Sequence, residues 1–229
     1  MIFDYGGVFS SPLFGGLENF ETTMGYPEGS LVTLLFGEGT YIRGGGGDPC
    51  DGAVDGDMPT HDFHRLERGE ITLDEYVAGL AERAPTVLGR EIDLDAYQRY
   101  LSEMSLGVHW PLVHRAQRLR DDGLALAMLT NNIREFSDAW RATFPVDELF
   151  PVVVDSSRVG MRKPEPDIYV FTCEQVGVEP HAAVFIDDNA DNCAAAEELG
   201  IETIRFADPW TAIDELDAML ERRGTRSIR

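Results

Sequence analysis

The sequence contains few cysteines, and their spacing does not suit a metal site. Cys50, Cys173 and Cys193 are the three cysteines among 229 residues, and no two of them form a CxxC pair. Structural zinc sites usually take closely spaced pairs of cysteine or histidine, and disulfide frameworks usually need an even number of cysteines. We therefore expect neither kind of site. A reducing compartment is expected instead, which favours a cytoplasmic location.

The sequence also lacks long apolar runs. No stretch approaches the roughly 20 apolar residues that a helix needs to span a bilayer. The segment Met1–Asp4 has no basic residues of the kind that open a secretory signal peptide. From these two absences we expect no membrane partner.

Basic residues are scarce as well. The chain has 19 lysines and arginines against 41 aspartates and glutamates, which gives a formal net charge of −22. A field of that sign repels nucleic acids and anionic membrane surfaces, so neither is expected as a partner. It also opposes a phosphorylated small molecule unless cations lie in the binding site. Lys163 is the only lysine, and its compact ammonium is a candidate point charge for a phosphate.

The second half of the chain alternates apolar runs with helical patterns, which is typical of a parallel sheet. The predicted strands, including one at the start of the chain, are Met1–Phe3, Leu124–Leu129, Val152–Val154, Ala183–Ile186 and Glu202–Arg205. We therefore predict an α/β fold whose core is a doubly wound, Rossmann-like parallel sheet. The carboxyl ends of its strands meet at one edge, where such folds bind ligands.

The stretch between the first two predicted strands is mostly helical. Thr72 and Glu75 form a capping-box pattern at the start of a predicted helix, Leu73–Ala84. Residues 37–60 are glycine-rich and are expected to form a long loop, with a lid over the site as a hypothesis. The predicted domains are an α/β core of residues 1–12 and 108–229 and an inserted small α-helical cap domain of residues 13–107.

Polar residues at the predicted strand ends suit phosphate chemistry with a metal ion. Asp4, Thr130 and the pair Asp187–Asp188 each follow an apolar run, and Lys163 precedes a predicted helix. Carboxylates gathered beside one lysine need a hard cation, and Mg²⁺ binds carboxylates, water and phosphate oxygens. Asp4 is then a candidate nucleophile that forms an aspartyl-phosphate, which water hydrolyses. The Thr130 hydroxyl and the N–H groups of the turn after Asp4 are expected to hold the phosphate oxygens.

Four segments, in order along the chain, resemble the motifs of the haloacid dehalogenase superfamily of hydrolases. These segments are Ile2–Val8, Met128–Asn131, Arg162–Tyr169, and Phe185–Asp188 with Asn192. The inserted helices resemble the small helical cap that this family places after its first motif. The chain is similar to the branch of the family that includes the N-terminal phosphatase domain of soluble epoxide hydrolases.

The resemblance implies a phosphatase of a small phosphorylated metabolite and gives each motif residue a role. The implied catalytic residues are Asp4, Thr130 and Lys163. The implied phosphate-binding residues are Tyr5, Gly6, Thr130, Asn131 and Lys163. The implied Mg²⁺ ligands are Asp4, the main-chain carbonyl of Gly6, Asp187 and Asp188, with Asn192 in support.

The chain departs from the family pattern at Gly6. Typical phosphatases of the family have a second aspartate there as general acid and base, and such catalysis contributes about 10²–10⁴-fold in rate. Two alternatives to the Mg²⁺-dependent phosphatase stay open. A metal-free 2-haloacid dehalogenase would use the same nucleophile, although the pair Asp187–Asp188 opposes a carboxylate substrate. A catalytically weak protein that binds a ligand or partner is favoured by Gly6. We make no prediction of the oligomeric state.

Overall fold

The computed structural model describes residues 1–12, 16–37, 40–41, 50–51, 61–103 and 107–224. The strands are β1 (Ile2–Phe3), β2 (Thr40–Tyr41), β3 (Cys50–Asp51), β4 (Ala127–Thr130), β5 (Val152–Asp155), β6 (Val184–Asp187) and β7 (Glu202–Arg205). The helices before β4 are α1 (Leu17–Met24), α2 (Ser30–Phe36), α3 (Asp62–Glu67), α4 (Leu73–Val87), α5 (Leu94–Glu103) and α6 (Trp110–Asp121). The later helices are α7 (Ser137–Arg141), α8 (Val146–Leu149), α9 (Ser156–Val159), α10 (Pro166–Val176), α11 (Ala190–Glu198) and α12 (Pro209–Arg222), with 3₁₀ turns at Arg134–Phe136 and Pro180–Ala182.

Five strands form one parallel sheet in the order β5-β4-β1-β6-β7. The two residues of β1 occupy the central position because both neighbours pair with it: Phe3 lies opposite Met128 on one side and Ile186 on the other. Both Ile2 and Phe3 are buried, so this very short strand is held by its place in the sheet. The predicted α/β fold with a parallel sheet is confirmed.

Alternate residues of the strands face two different hydrophobic clusters. Phe3 and Ile186 belong to a cluster that includes apolar residues of α6 and α12. Ile2 and Phe185 belong to a second cluster that includes residues of α10 and α11. Because successive side chains of a strand point to opposite faces, helices cover both sides of the sheet. The predicted doubly wound arrangement is therefore confirmed.

Helices α1 to α5, which we call the helical block, have a hydrophobic cluster of their own. Its buried residues are Leu17, Phe20, Tyr26, Leu31, Leu34, Leu35, Phe36, Phe63, Leu66, Tyr76, Leu80, Ala84, Leu88 and Ile92. The predicted capping box is present, since Thr72 and Glu75 each accept a hydrogen bond from the other's main-chain N–H. Helix α4 runs past its predicted end at Ala84 and includes Pro85. The proline cannot donate a helical hydrogen bond, and Ala84 and Leu88, on either side of it in the chain, are buried.

Most of the glycine-rich stretch, residues 37–60, lies outside the described residues. The hypothesis that this stretch forms a lid falls on those residues as well. Within that stretch the structure describes Gly37 and the short antiparallel pair formed by β2 and β3. The division into a core and a cap domain stays a prediction. No helix in the described ranges is both long and apolar enough to cross a membrane.

Candidate active site

The carboxyl ends of the three middle strands bring the predicted residues to one edge of the sheet. Asp4 directly follows β1, Thr130 ends β4, and Asp187 ends β6. The N–H of Asp4 donates to the carbonyl of Ile186 at 2.9 Å, which continues the pairing of β1 with β6 beyond the last residue of β1. Asp4 is 1% exposed and Asp187 is fully buried. Neither carboxylate is placed in water, so each depends on charged or hydrogen-bonding neighbours.

Lys163 supplies the opposite charge. Its Nζ lies 2.8 Å from Oδ1 of Asp4 and 2.6 Å from Oδ2 of Asp187, and the side chain has no exposed surface. An ammonium that is buried this completely is stable only when carboxylates face it, because desolvation strongly disfavours its charge. Lys163 therefore joins the ends of β1 and β6 into one charged cluster.

Asn131 holds the main chain of Lys163 from both sides. The Asn131 amide Nδ2 donates to the carbonyl of Lys163 at 2.9 Å, and its Oδ1 accepts from the N–H of Lys163 at 2.8 Å. This side chain is therefore used to position the lysine. The predicted contact of Asn131 with phosphate stays a prediction, and it would have to come from the main chain.

Asp187 accepts hydrogen bonds on both oxygens. Oδ1 accepts from the N–H of Asn189 at 2.8 Å, and Nδ2 of Asn192 lies 3.2 Å from each oxygen. With Lys163 on Oδ2 as well, nitrogen donors surround this carboxylate. These contacts suit a carboxylate that orients Lys163. The neighbouring Asp188 is less buried than Asp187. The supporting role of Asn192 at the site stays a prediction.

Asp188 packs against the first turn of the chain. Gly7 has a φ of +74°, and a Cβ placed on it would lie 2.1 Å from Oδ2 of Asp188. Only glycine fits here, because any side chain would both strain the backbone and displace the carboxylate. The Gly6-Gly7 pair indicated this turn from the sequence, and the contact with Asp188 explains why position 7 is glycine.

The donor set fits a divalent cation. Asp4, Asp187 and Asp188 each offer an oxygen, and these atoms all lie within 4.8 Å of one another. Three carboxylates beside one ammonium leave two negative charges, which a hard divalent ion neutralises. Asp4 and Asp188 could hold Mg²⁺ here. The ligand roles of Asp4, Asp187, Asp188 and the Gly6 carbonyl all stay predictions.

Thr130 and Tyr5 differ in what their side chains reach. Thr130 is buried at the sheet edge, and its hydroxyl donates to the carbonyl of Asn131 at 3.3 Å. The Tyr5 ring instead packs on Trp140 inside the core, and its hydroxyl lies 3.1 Å from Oγ1 of Thr143. Burial raises the pKa of Tyr5. The predicted contact of Tyr5 with phosphate would therefore have to come from its main chain.

The nearby cysteine is not a competing nucleophile. Cys193 is buried, and its Sγ lies 3.5 Å from the carbonyl of Asp187. Burial, together with the charge of Asp187, raises the pKa of Cys193 to about 12. The thiol stays protonated near neutral pH, and a protonated thiol is a poor nucleophile.

Sequence reasoning missed the residues that link this edge to the helical block. Oγ of Ser156 donates to the carbonyl of Glu67 at 2.7 Å, and the side chain of Glu67 accepts from Nε of Arg162 at 2.7 Å. Arg162 lies inside one of the predicted motifs, but nothing in the sequence marks Glu67 as its partner. Glu67 is a polar residue beside the buried Phe63 and Leu66 at the end of α3, and that position alone does not name its partner.

This fold and this set of charged groups are those of hydrolases of the haloacid dehalogenase type. The chain belongs to the haloacid dehalogenase-like hydrolase family, whose model matches residues 40–200. The matched segment contains Lys163 and the pair Asp187–Asp188. The predicted resemblance is confirmed, and so is the prediction that the protein is a hydrolase.

The chain is similar to parts of two larger proteins. It is 29% identical over 222 residues to acyl-CoA dehydrogenase family member 10 of Mus musculus, covering 96% of this chain and 19% of that protein. It is 25% identical over 226 residues to bifunctional epoxide hydrolase 2 of Rattus norvegicus, covering 94% of this chain and 37% of that protein. The chain thus spans well under two thirds of the length of either relative.

A solved structure shares the fold. It is an enzyme of the same family from Bacteroides thetaiotaomicron, in complex with magnesium and inorganic phosphate. The TM-score is 0.61 at 22% identity, and the match covers 90% of this chain and 93% of the other.

Proposed function

We propose that the protein is a Mg²⁺-dependent phosphatase of a small phosphorylated metabolite and that Asp4 is its nucleophile. The observation that carries this proposal is the buried contact of Lys163 with both Asp4 and Asp187, beside the carboxylate of Asp188. Such a cluster, left with two negative charges, suits a divalent ion and a phosphate together. The Bacteroides relative, which was solved with magnesium and inorganic phosphate, supports the same chemistry.

In the proposed reaction, a carboxylate oxygen of Asp4 attacks phosphorus in line with the leaving group. The bond from phosphorus to the leaving-group oxygen breaks, that group departs with the electron pair, and the aspartyl-phosphate remains. Lys163 holds Asp4 through Oδ1 and thereby orients the nucleophile. Thr130 and the N–H groups of the turn after Asp4 hold the other phosphate oxygens. Mg²⁺ bound by Asp4 and Asp188 would supply positive charge to those oxygens. Water then hydrolyses the aspartyl-phosphate and releases phosphate.

Gly6 shapes the choice of substrate. It has no side chain to protonate a leaving group, and general acid–base catalysis typically contributes about 10²–10⁴-fold. Substrates whose leaving groups need no proton suffer least from this loss. We therefore expect acyl phosphates or sugar 1-phosphates to be turned over faster than phosphates of simple alcohols.

Gly6 also favours one further candidate, a catalytically weak protein that binds a phosphorylated ligand. The same lysine and carboxylates would then hold the ligand without turning it over. The dehalogenase alternative is disfavoured by electrostatics, because the acid pair beside Asp4 opposes a carboxylate substrate.

The proposal is tested by the Mg²⁺ dependence of phosphate release from p-nitrophenyl phosphate and acetyl phosphate. We expect release that requires Mg²⁺, and that falls by more than about a thousandfold in Asp4→Asn because the nucleophile is lost. Release without metal contradicts the proposed cofactor. Turnover of chloroacetate in the absence of metal would point to the dehalogenase, and binding of the phosphorylated ligands without turnover would point to the weak binder.

A further inference from the structure

Two crossed salt bridges join the helical block to the loop that carries Lys163. Glu67 and Arg68 are neighbours at the end of α3. The side chain of Glu67 accepts from Nε of Arg162 at 2.7 Å, and Nη1 of Arg68 contacts Oε1 of Glu165 at 2.7 Å. Arg162 and Glu165 flank Lys163 and Pro164 in the chain. The helical block therefore holds the lysine loop on both sides of the lysine.

The two salt bridges differ in burial. The side chains of Glu67 and Arg162 are 10% and 11% exposed, whereas the side chain of Glu165 is 41% exposed. Water and salt screen the outer pair, so its contribution is small. The inner pair is shielded, and either partner left alone would be a buried charge. Of the two residues at the end of α3, Glu67 is therefore the one that does most to fix the position of the Arg162 side chain.

The main chain of Glu67 is tied to the same edge of the sheet. Its carbonyl accepts from Oγ of Ser156 at 2.7 Å, and the same Oγ accepts from the N–H of Asn132 at 2.9 Å. Gly69 follows with a φ of +67°, and a Cβ on it would lie 2.3 Å from the carbonyl oxygen of Ser157. The end of α3 therefore lies directly against the loop after β4 and against α9.

These contacts reach Lys163 from two directions. Arg162 precedes it in the chain, and Asn131, next to Asn132, pairs with its main-chain N–H and carbonyl. Both routes meet at Glu67, which holds Arg162 by its carboxylate and Ser156 by its carbonyl.

We propose that Glu67 is a positioning residue of the active site, which acts through Arg162 to fix where the Lys163 ammonium sits between Asp4 and Asp187. The proposal rests on the proposed function. Stability alone does not explain the pair, because a buried ion pair is often no better than apolar residues of the same size. If Glu67 has this role, the position of the helical block against the sheet and the position of the Lys163 ammonium depend on each other.

The test compares Glu67→Gln with Asp217→Asn. Glu67→Gln keeps the shape of the side chain and removes the charge that faces Arg162. Asp217→Asn does the same at Arg115, another deeply buried arginine, whose Nε lies 2.8 Å from Oδ1 of Asp217. That pair links α6 to α12 and has no part in the lysine loop. The side chain of Asp217 is 43% exposed, so the variant controls for removing the charge that faces a buried arginine.

Two quantities are measured for each variant. The first is kcat and KM for acetyl phosphate with saturating Mg²⁺. The second is the ¹³Cε resonance of protein grown with labelled lysine, which reports on Lys163 alone because the chain has no other lysine. We expect Glu67→Gln to lower kcat by about tenfold or more, as for other groups that orient a reacting residue. KM should change less, and the lysine resonance should move.

The control should leave kcat and the lysine resonance unchanged. The proposal is overturned if Glu67→Gln only lowers the melting temperature, as the control does, with kcat within about twofold of the parent, short of the tenfold expected of an orienting group. If the parent protein releases no phosphate from any substrate, the proposed function fails. The ¹³Cε resonance of Lys163 then tests the positioning role of Glu67 by itself. If this resonance does not move in Glu67→Gln, the positioning role is overturned. Should Glu67→Gln not fold, Ser156→Ala removes the two hydrogen bonds by which its Oγ links the Glu67 carbonyl to the Asn132 N–H, and the same two measurements decide.

Discussion

Two buried aspartates end strands of the same sheet and are held in different ways. Asp155, at the end of β5, accepts from Oγ of Ser137 at 2.5 Å and from Oγ and N–H of Ser157 at 2.7 and 3.1 Å. Asp187, at the end of β6, contacts the ammonium of Lys163, which it shares with Asp4. Both side chains are almost fully buried.

The difference lies in the partners and not in the position. Asp155 caps α9, and neutral donors from Ser137 and Ser157 satisfy its oxygens, so it has a structural role. Asp187 depends on a charge from a distant loop and lies beside other carboxylates. An acid at a strand end is thus a candidate for chemistry only when its partner is itself charged and shared.

Among the variants that test this comparison, Asp187→Asn has the largest expected effect. The asparagine side chain would not carry the negative charge that attracts the Lys163 ammonium, so the ammonium is held less firmly between β1 and β6. We expect kcat for acetyl phosphate to fall by about 100-fold or more. Steady-state kinetics at saturating Mg²⁺ measure this. Asp155→Asn is the matched control, and equal losses in the two variants would contradict the distinction drawn between the two aspartates.

Gly7→Ala should weaken Mg²⁺ binding. The new Cβ would lie 2.1 Å from Oδ2 of Asp188, so the carboxylate has to move, and we expect metal affinity to fall by about 10–100-fold. Calorimetric titration with Mg²⁺ measures it. Gly200→Ala is the control, since Gly200 also has a positive φ, +83°, but nothing lies within 4 Å of its Cβ position. A similar affinity in both variants argues against a ligand role for Asp188.

Asp155→Asn should act on stability. The amide cannot accept on both sides as the carboxylate does, so a buried hydroxyl or N–H is left without a partner at a cost of about 1–3 kcal/mol. Urea unfolding measures this, and activity of the folded protein should stay within about threefold, because the role of Asp155 is structural. Loss of activity without loss of stability would give Asp155 a part in the chemistry.

The smallest effect concerns pH. The folded-state pKa of Cys193 is raised by burial from 9.0 to about 12. The unfolded chain then loses this proton first, so the contribution of the neutral thiol is complete below pH 9 and is lost as pH rises from 9 towards 12. Cys193→Ala should show a shallower fall in unfolding free energy across that range. Equal slopes would contradict the pKa shift.

Much of this could be predicted because its signals are local. Each of the strand ends at Asp4, Thr130 and Asp187 follows an apolar run, and the capping box at Thr72 is complete within four residues. Lys163 was marked by composition, as the only lysine. Such patterns depend on neighbouring residues, so the sequence contains them in full.

The rest depends on contacts between distant residues. Glu67 and Arg162 are 95 positions apart, and neither has a pattern that identifies the other. The short helices α7 and α8, between β4 and β5, have too few residues to show a helical period. Nor could the sequence tell that the Tyr5 ring enters the core beside Trp140 while the rest of its motif stays at the sheet edge.

The most direct measurement is to trap the covalent intermediate. The protein is mixed with Mg²⁺ and acetyl phosphate that is radiolabelled in its phosphoryl group. The reaction is quenched in acid within one turnover, and the labelled peptide is identified. We predict label on the peptide that contains Asp4, and none in Asp4→Asn. Phosphate release without a covalent label, or a label on another residue, would contradict the account of Asp4 as the nucleophile held by Lys163.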